Sequence, residues 1–213
     1  MPKAATIDRE ATTSPSAIPN APESFVPHRY RLTVAEYHRL GEIAIFDENS
    51  RVELIEGDLI AMPPIGELHA SKTRQLNRLF SARVGEAALV DVQNPVALDR
   101  HSEPQPDLAL LKPRPDFYES GHPQPEDVLL LLEISDSTLR YDRDIKIPLY
   151  AKAGIPEVWL LDLARQRLEV YRRPSVEGYR EILYPASDET IAPVLLPEMV
   201  LSVNSLFQIP ERL

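Results

Sequence analysis

Two acidic side chains stand where an acid is expensive. Val128-Leu129-Leu130-Leu131-Leu132 is an unbroken apolar run of strand length, and it closes on Glu133, Ile134 and Ser135. Such a run suits a strand covered on both faces in the middle of a mixed sheet. A carboxylate at its tip loses hydration, which costs several kcal/mol unless something positive compensates. Pro106-Asp107-Leu108-Ala109-Leu110-Leu111 has a related form, with an acid opening an apolar strand. Two acids on neighbouring strands make the negative pocket that a hard divalent cation takes. A capping turn behind the proline is the plainer reading of Asp107. Glu133 has no such inexpensive structural explanation.

The rest of the composition narrows what these acids can do. The chain has 213 residues, 43% hydrophobic and 26% charged, enough for one domain with a substantial core plus a tail. It has no cysteine, so disulfides and thiolate metal sites are excluded, and any metal must be held by oxygen or histidine. No apolar stretch approaches a membrane span, and no signal-peptide core is present, so the cytoplasm is the expected compartment. The formal net charge of −10 argues against nonspecific coating of nucleic acid. It leaves room for an enzyme that meets nucleic acid through a local basic surface and a bound metal.

Around the acids the sequence predicts a mixed α/β domain, a central sheet flanked by helices. Residues 1–26, rich in Ala, Pro, Ser and Thr, read as a disordered tail, and 27–213 as the domain. Thr33-Val34-Ala35-Glu36 is a capping box opening a short helix. Residues 51–62 read as a hairpin turning at Glu56-Gly57-Asp58, and about 66–86 as the longest helix, with Leu68, Leu76, Leu79 and Phe80 as its apolar stripe. Short strands are expected at 88–93 and 95–98. The proline-rich stretch 112–127 is expected to be a loop crossing the surface near a site. A polar turn at 136–143 leads into a helix ended by Gly154, with Pro148 in its first turn or just beyond. A strand over 157–162 carries Trp159 into the core, and 168–172 with 179–184 form an outer antiparallel pair.

In order and spacing these segments resemble the PD-(D/E)XK restriction-endonuclease-like superfamily, and within it the Uma-two family. The residues concerned are Val52-Glu53-Leu54-Ile55-Glu56-Gly57, His69 opening a helix after Pro63-Pro64, Pro106-Asp107-Leu108 and Leu132-Glu133-Ile134-Ser135. Tyr141-Asp142-Arg143-Asp144-Ile145-Lys146, Tyr150 and Ala153-Gly154-Ile155-Pro156-Glu157-Val158-Trp159 continue the likeness, which spans about 29–208. The resemblance implies a restriction-endonuclease-like mixed sheet with extra antiparallel strands. It implies Asp107, Glu133 and the Ile134 carbonyl as Mg²⁺ ligands, with Mn²⁺ as a substitute. Glu53 is implied as a third acid, bound through water or paired with a lysine. The superfamily's lysine, two residues after the second acid, is replaced here by Ser135, and Lys146 on the next helix is the expected substitute, since its flexible stem reaches the same point from another backbone position. His69 and Ser135 are accessory candidates.

The implied function is Mg²⁺-dependent hydrolysis of phosphodiester bonds in nucleic acid, DNA above all, by a homodimer. One alternative is a binding or regulatory module that keeps the fold without catalysis; another is a hydrolase of smaller phosphate esters. Three plainer readings stand beside the functional ones: Glu53 as a solvated strand residue, His69 as a partly buried structural histidine, and Asp142 as a local ion-pair partner holding Lys146 away from a metal.

Overall fold

The computed structural model describes residues 28–47 and 50–208; the proposed tail over 1–26 lies outside the described residues. A six-stranded mixed sheet forms the middle of the domain. Its strands are β3 (Leu89–Val92), β4 (Leu108–Leu111), β5 (Val128–Ser135), β6 (Glu157–Asp162), β7 (Arg167–Ser175) and β8 (Gly178–Leu183), side by side in that order. Only the β5–β6 pair is parallel. Every residue of β5 is buried, as its unbroken apolar run requires of a strand covered on both faces.

Side-chain alternation then sorts the core into two layers. Leu130, Leu132 and Ile134 join Leu108, Leu110, Trp159 and the buried stripe Leu76, Phe80 and Val84 of helix α2 (Glu67–Val84). Leu131 joins Ala109, Leu111, Leu160 and Tyr150 on the opposite face. Glu133 shares the alternation of Leu131, and Asp107 that of Ala109 and Leu111. The register pairs Leu108 with Leu132, so one further step sets Asp107 against Glu133. The apolar pattern of two strands has aimed both acids at the same face.

That face is covered by the β5–β6 crossover and a hairpin. The crossover is one helical run in three parts: α3 (Leu139–Tyr141), a π-helical turn (Asp142–Lys146) and α4 (Ile147–Ala153). Pro148 lies in the first turn of α4, as expected, although the helical run that contains it begins earlier, at Leu139. The π turn just before it, where the Ile147 N–H reaches back to the Asp142 carbonyl, absorbs the missing donor. Gly154 ends the run in the left-handed region. The hairpin β1 (Val52–Ile55) and β2 (Asp58–Ala61) turns through Glu56 and Gly57, both at positive φ. Gly57 admits no side chain, because a Cβ there would lie 2.5 Å from the Arg31 Cβ. Helix α1 (Val34–Glu42) carries the capping box, with Thr33 and Glu36 satisfying each other's main-chain donors.

Three expectations need correction. Leu68 is exposed, since the buried stripe of α2 begins only one turn later. Residues 95–98 form no strand; Val96 and Leu98 are buried but bond to the Pro104 and Ser102 carbonyls in a loop. The 112–127 loop contributes no residue to the pocket described below. The C-terminal part adds a small hairpin, β9 (Thr190–Ile191) with β10 (Leu201–Ser202), and helix α5 (Val203–Phe207) against the α2 layer. No helix among the described residues is long and apolar enough to cross a membrane.

Candidate active site

A cavity of about 140 Å³ opens between the hairpin, the start of α2, the tips of β4 and β5 and the π turn. Glu53, His69, Asp107, Glu133, Asp142 and Lys146 all line it. Glu53 reaches it because it shares a strand face with Ile55, whose side chain packs into the layer beneath.

Lys146 is the centre of the constellation. It is 2% exposed, and its Nζ lies 2.8 Å from Glu133 Oε1 and 3.3 Å from Glu53 Oε1. It also donates to the Gln105 carbonyl at 3.4 Å. Burial alone would lower its pKa; the nearby charges of Glu133, Glu53 and Asp142 prevail and raise it, so the ammonium stays charged. Asp142 is not its hydrogen-bonded partner. Asp142 Oδ2 accepts instead from the hydroxyls of Ser135 and Thr138, each at 2.6 Å. Ser135 thus positions Asp142 and does not line the cavity.

Asp107 is held by three donors. Its Oδ2 accepts the Ile134 main-chain N–H at 2.8 Å, and its Oδ1 accepts from Gln93 at 3.2 Å and pairs with His69 Nε2 at 2.8 Å. The Asp107 bond raises the His69 pKa against the opposing effect of burial, and the Ile134 carbonyl adds to the rise. Ile134 is tied to the same corner through its N–H, which Asp107 accepts.

Glu133 receives hydrogen bonds from Lys146 and from the buried Tyr150 hydroxyl at 2.5 Å. Burial nevertheless pushes its carboxyl up to about 8, helped by the charges of Asp142 and Asp107 and only partly offset by Lys146. Glu53 Oε1 accepts the Gln105 N–H at 3.0 Å, while its Oε2 is buried without a partner among the described residues. Four carboxylates converge on one lysine and one histidine. The excess of negative charge, the orphaned oxygen and the oxygen-rich donor set of Asp107, Glu133 and the Ile134 carbonyl fit a hard divalent cation.

The structure brings together Glu53, His69, Asp107, Glu133 and Lys146 around one cavity, with Ile134 beside it, joined to Asp107 through its N–H. It sets Ser135 behind them. Sequence reasoning missed Gln93, Gln105 and Thr138, polar residues of ordinary type in loops, which gave no signal. Tyr150 carried one in its spacing of four from Lys146, and its hydroxyl role becomes visible only in the fold.

The sheet order and this pocket define a restriction-endonuclease-like domain. A solved structure described as a "putative nuclease belonging to DUF820", from Anabaena variabilis ATCC 29413, matches with a TM-score of 0.63. The match covers 83% of this chain and 97% of that one, at 21% sequence identity. No curated protein matches the chain. The model of the Uma2 family, described as "Putative restriction endonuclease", matches residues 34–204, and the chain belongs to that family.

Proposed function

We propose that the protein is a Mg²⁺-dependent nuclease that hydrolyses phosphodiester bonds in DNA. The observation that supports this reading best is the buried Lys146 between Glu133 and Glu53, in one cavity with Asp107. The family supports nuclease chemistry and the use of a divalent metal.

Asp107, Glu133 and the Ile134 carbonyl would hold the ion. When bound, it supplies Lewis acidity toward a phosphodiester and toward the attacking water. The side chains around it have separable tasks. Lys146 presents a fixed positive charge beside the site of attack, in a pocket where electrostatic stabilisation is little weakened by solvent. Glu53 Oε1 and the Gln105 carbonyl aim that ammonium. His69, its proton favoured by Asp107, stands where a leaving oxygen can take a hydrogen bond. The rim suits a phosphate: Arg51 lines the cavity, and α2 begins there at Gly66 without a side-chain cap, its first N–H groups unmet by one. A homodimer would present two such sites to the two strands of a duplex, and the exposed Val194 and Leu195 offer an apolar edge for pairing.

The test is cleavage of plasmid and of single-stranded DNA and RNA with Mg²⁺ or Mn²⁺, comparing wild type with Asp107→Asn. Wild type is expected to nick the plasmid and the variant to lose at least about 100-fold in rate, or roughly 2.7 kcal/mol of transition-state stabilisation. A wild-type chain that binds DNA but cleaves no substrate with either metal would favour the binding-module alternative.

A further inference from the structure

A second cluster of ligating side chains lies outside the cavity just described. His38 of α1, Glu103 of the loop before β4 and His122 of the 112–127 loop each offer one ligand atom, all within 4.8 Å of one another. They line a separate depression that has no residue in common with the first. His38 Nε2 is 2.7 Å from Glu103 Oε1, and the two imidazoles meet edge to face with centroids 5.8 Å apart. Glu103 is 2% exposed, yet its Oε2 has no hydrogen-bond partner among the described residues. A buried carboxylate oxygen without a donor has given up its hydration for nothing, and a cation would restore what it lost.

We propose that His38, Glu103 and His122 bind a transition-metal ion of the Zn²⁺ class, distinct from the divalent ion of the Asp107–Glu133 pocket. Two histidines and one glutamate are a recurrent three-protein-ligand zinc set, with the fourth position left to water. Imidazole donors select Zn²⁺, Co²⁺ or Ni²⁺ over Mg²⁺. Ligand atoms on a tetrahedral zinc stand about 3.3 Å apart, from bonds of about 2.0–2.1 Å. The His38–Glu103 pair must open slightly and the exposed His122 must swing inward. Glu103 itself is already fixed, because its N–H bonds the Leu54 carbonyl at 2.8 Å.

The ion would add a staple to three chain segments that now meet through the His38–Glu103 bond and the contact of the two imidazoles. Through Glu103 it would fix the segment that continues to Gln105 and Asp107. Through His122 it would hold the loop whose Pro123 carbonyl accepts the Ala97 N–H at 2.9 Å. The role is structural support beneath the Glu53 hairpin, and it does not depend on the nuclease reading.

Zn²⁺ titrated by calorimetry into the tag-free full chain tests the proposal, with Co²⁺ absorption as a second readout. An Asp107→Asn/Glu133→Gln variant, which lacks the first pocket's ligands, is expected to bind one equivalent of Zn²⁺ and to give the intense visible bands of four-coordinate Co²⁺. His122→Ala in that background, an exposed change that leaves the fold alone, is expected to weaken Zn²⁺ at least tenfold. Outer-shell partners alone are worth about 10- to 100-fold, and a direct ligand counts for at least that. Mg²⁺ in millimolar excess is expected not to compete. Zn²⁺ binding that is lost in Asp107→Asn/Glu133→Gln, or unchanged by His122→Ala, overturns the proposal, and His38–Glu103 is then a plain hydrogen-bonded pair.

Discussion

Glu133 makes the metal-free protein lose stability as pH rises, the reverse of the ordinary carboxylate pattern. Its carboxyl titrates at about 8 in the fold against an ordinary 4.5. Between those values the folded chain keeps a proton that the unfolded chain has released. Stability is therefore greatest below about pH 4.5 as far as this group is concerned, declines through the window, and levels off above about 8. Over 3.5 pH units, at about 1.4 kcal/mol per unit, the decline approaches about 5 kcal/mol. That is a large share of a typical domain stability of about 5–15 kcal/mol. With a urea slope of about 2 kcal/mol per molar, the midpoint should fall by about 2.5 M over the whole window and by about 1.7 M between pH 5.5 and 8.5. The assay is urea denaturation in EDTA at pH 5.5, 7 and 8.5, for wild type and Glu133→Gln. Glutamine imitates the protonated acid and should remove most of the slope. His69 contributes in the same direction but is present in both proteins. Adding Mg²⁺ should stabilise wild type more at pH 8.5 than at 5.5, because the ion takes the place of the proton. Wild-type and Glu133→Gln slopes that coincide would refute the reasoning.

Two further outcomes follow from the same pocket. Lys146→Met leaves Glu133 and Glu53 without their shared cation, so it should cost about 3–5 kcal/mol in EDTA and lower cleavage by about 100-fold or more. Lys152→Met, whose exposed ion pair with Glu56 spans 3.2 Å, is the control and should stay within about 0.5 kcal/mol of wild type by urea melts and cut DNA at the wild-type rate. Tyr150→Phe removes a buried donor from Glu133, which should cost about 1–3 kcal/mol and move the end of the pH-dependent decline above 8 in the same urea series.

Much of this was legible because period and burial are coupled. The apolar run of β5 predicted a doubly covered strand, and the similar form of 106–111 predicted a second acid on a neighbouring strand; the register that puts both on one face came with the fold. The spacing of four along Asp142, Lys146 and Tyr150 predicted a shared helix face, which the π turn preserves. What sequence could not show was the partner of each group. Asp142 had looked like the natural partner of Lys146, yet two hydroxyls take it, leaving the ammonium to acids from β1 and β5. The period assigns Leu68 to the helix stripe, but a 3.6-residue period does not reveal where a partner layer ends, and Leu68 is exposed. His38, Glu103 and His122 are far apart in sequence and meet only through loops, where no period links them.

The same fold shows how it treats an acid whose task is structural, and the contrast bears on Glu133. Glu169 on β7 is also fully buried, but it receives hydrogen bonds from Arg143, Arg167 and Tyr171. Burial pushes its pKa up, and those donors overcome the push and hold it below the usual value. Arg143 belongs to the π turn, only three positions before Lys146, so this acid and Glu133 are served by one short segment. Glu169 has two guanidinium groups, each fixed in charge and matched to a carboxylate in shape. Glu133 has a single ammonium shared with Glu53, and more acids close by. A chain that can satisfy a buried glutamate so fully at one end of the turn leaves the other end short of positive charge. The deficit raises the Glu133 pKa, and it is relieved by a proton or, on the proposed reading, by a cation arriving from solvent. The two acidic clusters are completed differently: arginines satisfy the structural one, whereas the Asp107–Glu133 pocket is left short of positive charge, as the proposed binding of an ion and a phosphate requires.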